Sequence, residues 1–227
     1  MPGFEITFSI FIILFFGGFC AGFVDSIAGG GGLISLPVLL SVGLPPQLAL
    51  GTNKLQGSFG TFSASYNYIQ KGKADIKSSI AGIVFTFIGA ALGAWFIQRL
   101  DPAFIKHLIP ILLMAVFGYT LVSKELGFKK RRAVMNRRLF FFLFGTGLGF
   151  YDGFFGPGTG SFWTVALMGL LGLEMTAAAG VTRIMNFISN IVALSVFAVG
   201  HNVLYSAGIC MAAGQIIGAR IGSGLAI

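Results

Sequence analysis

Two carboxylates, two cations and two glycine-rich runs hold the chemistry this chain can do. Asp25-Ser26-Ile27-Ala28-Gly29-Gly30-Gly31-Gly32 closes one long apolar segment, and Asp152-Gly153-Phe154-Phe155-Gly156-Pro157-Gly158-Thr159-Gly160 closes another. Irregular backbone at membrane depth is tolerated only against protein or a water-filled cavity. The two runs therefore read as halves of one site. Successive amides in a glycine-rich turn form an anion-binding nest. A short helix after each run would point its positive end at the same place. The nest residues are Gly29, Gly30, Gly31 and Gly32 in one run, and Gly156, Gly158, Thr159 and Gly160 in the other. A kink or packing point without ligand is the plainer use of such runs. Neither is a nucleotide loop, because no Lys-Ser/Thr pair follows Gly29–Gly32 and no soluble βαβ unit surrounds it.

Lys54 with Asn53, and Arg183 with Asn186, lie in two polar stretches of otherwise apolar sequence. Their functional use is attraction of an anion, with Arg able to grip an oxyanion through two hydrogen bonds. Their structural use is pairing with Asp25 and Asp152, and the two uses are compatible. The aspartates can cap the short helices, pair with these cations or carry a coupling proton. Burial and a neighbouring cation act on a carboxyl in opposite senses, so their balance decides whether it titrates near neutral pH. No metal-ligand spacing and no cofactor motif is present. Cys20 and Cys210 are isolated and expected to be buried free thiols. His107, His201, Tyr66, Tyr68 and Trp95 fall near the ends of apolar segments, where interfacial placement is expected. Arg220 is expected to snorkel.

These residues must be positioned by helices in a bilayer. The chain has 227 residues and a mean hydropathy of +0.89. Only 10% of its residues are charged, against roughly 25% in a soluble domain. The net charge of +8 comes largely from two loops. One carries Lys71, Lys73 and Lys77; the other carries Lys124, Lys129, Lys130, Arg131, Arg132, Arg137 and Arg138. That is a positive-inside signal, and without interleaved aromatics it is no nucleic-acid patch. Met1–Glu5 lacks a basic n-region, so the first apolar run reads as a retained span. Full spans are expected near 7–28, 48–70, 78–99, 105–123, 139–155, 177–199 and 203–226, each close to the ~20 residues a bilayer requires. The pieces at 33–43 and 161–171 are half-helices, either re-entrant or the second part of a broken span. Leu44-Pro45-Pro46 stops the first.

Three collinear blocks recur. Gly18–Asp25 matches Gly145–Asp152, Gly51–Lys54 matches Gly180–Arg183, and Gly89–Ala94 matches Gly214–Ala219. Two of them contain Gly-x-x-x-Gly, a close-packing signal between helices. The fold class expected is an all-α polytopic membrane protein with two repeats and Gly-broken helices. The basic Lys71–Lys77 loop has an uncharged counterpart at Gly200–Val203, so the repeats are expected to be inverted. That requires an odd number of crossings between the two loops. Residues 1–123 form the first repeat, 124–138 a basic cytoplasmic loop, and 139–227 a second repeat that ends before its matching last span.

Gly22–Gly32, Gly51–Ser58 and Gly149–Gly160, as spelled here, resemble the TauE/SafE sulfite-exporter family of membrane permeases. The similarity is nearest to the branch with Gly-Phe-Tyr-Asp-Gly-Phe-Phe-Gly-Pro-Gly-Thr-Gly-Ser. The resemblance implies a multi-pass permease of the bacterial cytoplasmic membrane. Its partners would be the lipid bilayer and a small anion, often sulfur-containing, such as sulfite, thiosulfate or a sulfonate. Protons are the candidate coupling ion; no nucleic acid is implied, and oligomeric state is left open. An anion channel would use the same polar spans. An intramembrane aspartyl protease using Asp25 and Asp152 would need a Gly-x-Gly-Asp motif that is absent, so the chain is not read as an enzyme.

Overall fold

The computed structural model describes residues 7–122 and 132–227, all helical where regular. Lys124, Lys129, Lys130 and Arg131 of the basic loop, and the Met1–Glu5 terminus, lie outside the described residues. The elements are α1 (Phe8–Ala28), α2 (Gly32–Ser41), α3 (Pro46–Gln70), α4 (Ile76–Ile97), α5 (Pro102–Val122) and α6 (Arg137–Phe140). A π-helical turn at Phe141–Gly145 leads into α7 (Thr146–Phe154), followed by α8 (Thr159–Leu171), α9 (Met175–Val199) and α10 (Tyr205–Ala226). Helices α1, α4, α5, α9 and α10 are long and apolar enough to cross a membrane. Helix α3 has 25 residues, but its polar side chains keep it out of that group.

Local chemistry sets the boundaries. Thr7 caps α1 by accepting the Ile10 amide, and Gly29 ends it at φ +83, returning its N–H to Asp25 O. Pro46 opens α3, where its missing N–H is no loss. Asp75 caps α4 by accepting the Lys77 and Ser78 amides. The Ser78 amide holds the Asp75 carboxyl below the usual carboxylate range. The shift is downward, so this cap's contribution is present above the unfolded-chain pKa and is lost as pH falls through the lowered one.

The two short helices are re-entrant. Helix α8 turns back along the direction of α7: Val134, just before α6, donates to Leu170 O at 2.9 Å. Trp163 of α8 lies 6.2 Å from Phe140. Helix α2 likewise folds back on α1, with Val38 against Gly17. The segment expected as a full crossing at 139–155 is therefore one arm of a hairpin, interrupted by the π turn. A single crossing by this segment was the wrong expectation, because the break at Gly156–Gly158 reverses the chain.

One end of the bundle gathers Leu204 N on Thr52 Oγ1 (2.9 Å) and Gln47 Nε2 on Leu100 O (3.2 Å). The other gathers Asn67 Nδ2 on Ser223 Oγ (2.8 Å) and the Lys73–Ala74 turn against Gly180. Helices α4, α5 and α9 cross between them, and the α7–α8 hairpin adds no net crossing. The Lys71–Lys77 and Gly200–Val203 turns thus lie at opposite ends. Apolar packing forms two clusters, one around Leu14, Leu36, Leu39 and Phe197, the other around Phe140, Trp163, Leu167 and Met185.

The Gly-x-x-x-Gly pairs sit where helix backbones touch. Helix α1 lies along α10, and a methyl group at Gly18 would stand 2.0 Å from Met211 O. Helix α4 lies along α7, and one at Gly93 would stand 2.0 Å from Phe150 O. Real Cβ atoms cannot approach so closely, so a larger residue must drive the helices apart.

Some expected placements differ. Tyr68 is buried, its hydroxyl on Ser26 O at 3.3 Å, because it faces the α1 tip and not the interface. Cys20 is exposed on the outer face of α1.

Gly93→Leu should lower the thermal midpoint of the detergent-solubilised protein by an amount matching about 1–3 kcal/mol or more of overpacking. Gly147→Ala, at a position with no atom within 4 Å of an added methyl, should leave it unchanged or slightly raised.

Candidate functional site

The hairpin tips meet backbone to backbone. A methyl at Gly29 would stand 2.4 Å from the Gly160 carbonyl carbon, and one at Gly32 would stand 2.8 Å from Pro157 Cα. Ser161 Oγ donates to Ala28 O at 2.9 Å, tying the start of α8 to the end of α1. Only residues without Cβ permit this crossing.

Each tip is held by a buried ion pair that reaches across it. Arg183 Nη1 of α9 donates to Asp25 Oδ2 of α1 at 3.1 Å. Lys54 Nζ of α3 donates to Asp152 Oδ1 of α7 at 2.7 Å, and also to Asp152 O. Ser189 Oγ donates to Asp152 Oδ2, and the Gly31 amide donates to Asp25 Oδ1 at 3.2 Å. Both aspartates are thus engaged on both oxygens, and each pairs with the cation from the other half of the chain. Arg183 is 0% and Lys54 1% exposed. A lone charge at the centre of a bilayer costs roughly 2.5–3.5 kcal/mol on insertion scales, so four charges persist here only as pairs. Such pairs are weak evidence for stability. Their presence is better accounted for by what they hold.

They border a cavity of ≈ 40 Å³ where the tips, α3, α9 and α10 converge. Of the residues expected at the site, Asp25, Gly29, Gly32, Asn53, Lys54, Asp152, Gly156, Thr159, Gly160 and Asn186 line it. Gly30, Gly31, Gly158 and Arg183 do not. Gly31 closes over Asp25, and Gly158, at φ +81, packs on Val116. Arg183 sits behind Asp25. Sequence reasoning missed Ser35, Gly57 and Gln215 as lining residues; Gln56, Thr61 and Asn190, which also line the cavity, belong to the polar stretches that had to face the bundle interior or a cavity. The signal for Gln56, Thr61 and Asn190 was the density of polar residues in α3 and α9. Gln215 is a single amide on an apolar helix, and nothing local marks it.

Donors and acceptors both line this space. The carbonyls that end α1 and α7 are taken by protein donors: Gly29 N on Asp25 O, Ser161 Oγ on Ala28 O, Phe155 N on Tyr151 O. The amides of Gly32 and Gly160, in the first turns of α2 and α8, have no acceptor among the described residues. Helix starts always leave such amides. Gln56 Oε1, Asn186 Oδ1, Gln215 Oε1, Arg183 Nε and Arg183 Nη2 are buried without a partner among the described residues. Gln56 Nε2 donates to Asn53 Oδ1 at 2.7 Å, while the Asn186 and Gln215 side chains can rotate to present either oxygen or nitrogen. Buried polar atoms of this kind call for a partner. Among the described residues, no cluster of three or more His, Cys, Asp or Glu is arranged to hold a metal ion.

Residues 14–227 match the sequence profile of the family "Sulfite exporter TauE/SafE". The chain belongs to that family. A "Probable membrane transporter protein" of Haemophilus influenzae is 42% identical over 219 residues, covering 96% of this chain and 86% of the relative. "Probable membrane transporter protein YfcA" of Escherichia coli strain K12 is 38% identical over 215 residues, covering 95% and 80%. A Sinorhizobium relative, "Probable membrane transporter protein ORF9", is 38% identical over 219 residues, covering 96% and 84%. No solved structure matches the chain. With five helices among the described residues long and apolar enough to cross a membrane, this is a multi-pass membrane transporter of the TauE/SafE family and not an enzyme.

Removing one partner of a buried pair strands the other charge. Arg183→Met should destabilise the protein by about 3–5 kcal/mol, read as a lower midpoint in detergent. Asp25→Asn combined with Arg183→Met should recover part of that loss. A double variant as unstable as the sum of the two single variants would show that the pair does not couple.

Proposed function

We propose that the protein is a secondary transporter for a small anion that binds in the cavity between the hairpin tips. The observation that carries this reading is the convergence there of free helix-start amides and unpartnered carboxamides, with the Arg183 guanidinium just behind Asp25. Each helix N-terminus acts as roughly +0.5 charge. The α2 and α8 starts together supply about one positive charge, while Lys54 and Arg183 are balanced by their aspartates. A small oxyanion suits that balance. Sulfite, thiosulfate and sulfonates are the substrate class, sulfite being the one in the family's name. The substrate-binding set is Gly32, Asn53, Lys54, Gly156, Thr159, Gly160 and Asn186, joined by Gln56, Asn190 and Gln215. Arg183 contributes its Nη1 if Asp25 exchanges its place with substrate.

The reciprocal pairing of Asp25 with Arg183 and Asp152 with Lys54 supports two inverted repeats, each bringing one hairpin from one end of the bundle. By the positive-inside rule the Lys71–Lys77 end is cytoplasmic. Alternating access then consists of one hairpin and its ion pair loosening at a time. Protonation of Asp25 or Asp152 would release its cation, which is a direct route to proton coupling.

Liposomes containing the protein should take up labelled sulfite, thiosulfate or a sulfonate with saturation, faster under a pH gradient than without one. Folded protein with no flux across that panel would overturn the anion reading, and unitary conductance steps would move it to a channel. Gln56→Leu and Asn190→Leu should each cut flux about tenfold or more, the scale of losing one hydrogen bond to a charged group. Unchanged flux would remove the carboxamides from the site.

A further inference from the structure

A second pocket, of ≈ 450 Å³, opens on the outside of the bundle where the starts of α4 and α6 lie side by side. Lys77, Ser78, Ala81, Asn136, Arg137, Arg138 and Phe141 line it. None of these takes part in the cavity between the hairpins. The three cations are exposed, and none pairs with a carboxylate among the described residues. The nearby Asp75 is occupied as the cap of α4, receiving the Lys77 and Ser78 amides. The balance of the four groups remains positive. Arg137 lies over the Phe141 ring at 5.6 Å, which fixes its charge just above apolar surface.

The surface next to this pocket is apolar and outward. Ile80 and Val84 are 55% and 49% exposed one and two turns along α4, and Leu139 and Phe142 are 49% and 54% exposed on the neighbouring segment. Phe85 and Phe142 meet edge to face at 5.3 Å, so the two strips form one continuous face. The π turn helps produce it: Phe140 and Phe141 point inward while Phe142 and Leu143 point outward. A soluble anion would use only the basic end of this feature. A phospholipid uses both ends, with headgroup on the cations and acyl chains down the apolar strip. Basic pockets between spans at the cytoplasmic surface are suited to that arrangement.

We propose that this pocket is a binding site for one phospholipid with a net negative headgroup, of the phosphatidylglycerol or cardiolipin class. A zwitterionic headgroup would bring its own cation against Lys77, Arg137 and Arg138 and bind worse. The site clamps α4 to α6 and so steadies the base of the α7–α8 hairpin.

The test uses the full chain, purified in mild detergent and measured by native mass spectrometry with added lipid. Wild type should hold one phosphatidylglycerol per chain in preference to phosphatidylcholine. A cation near an anionic surface is worth about fivefold in affinity, so K77Q/R138Q should bind it about 25-fold more weakly. That variant keeps Arg132 and Arg137, which preserves the charge bias that orients the chain. K71Q/K73Q, removing equal charge from the same end but outside the pocket, should bind as wild type does. Equal loss in both variants would reduce the effect to general surface charge and overturn the site. So would equal retention of phosphatidylcholine, or displacement of the lipid by millimolar inorganic phosphate.

Discussion

Two buried ion pairs hold the structure in register. Asp25 with Arg183 and Asp152 with Lys54 join the tip of each hairpin to a helix from the other half of the chain. Neither member of a pair could remain charged at that depth alone, so the pairing and the fold require each other. Those bonds set how deep each hairpin tip sits and which way α3 and α9 turn their charged side chains.

The pairs alone would not bring the tips together. The glycines do that, by removing the side chains that would separate Gly29 from Gly160 and Gly32 from Pro157. The Gly-x-x-x-Gly contacts of α1 on α10 and α4 on α7 do the same at the flanks. The bundle thus has two kinds of contact: backbone-close helix pairs that fix distance, and charge pairs that fix depth and register. Between them lies a polar space bordered by the starts of α2 and α8. The proposed anion transport rests on this arrangement, because amides that carry no net charge of their own can attract an anion and release it.

The spans, the two breaks, the polar faces of α3 and α9 and most of the cavity lining were legible in the sequence. Polar residues at membrane depth have few places to go, and glycine runs beside carboxylates in apolar sequence have fewer still. Tyr68 was misplaced at the interface because distance from a span's end does not show which face a side chain takes. Gln215 was missed because one amide on an apolar helix carries no local pattern. Cys20 was expected inside because residue type favours burial, yet in a bilayer an apolar thiol is equally at home on the outer face.

Hydropathy, charge placement and motif spelling by themselves determined the membrane class, the elements and the family. They did so because bilayer thickness, backbone hydrogen bonding and the cost of burying charge act on each segment independently. The tertiary structure alone decided three things: that both short helices turn back as hairpins, that each aspartate chooses the cation from the opposite half, and that Arg183 stands behind the cavity wall and not on it. These depend on which segments meet, and a sequence read segment by segment contains no distance between Asp25 and Arg183.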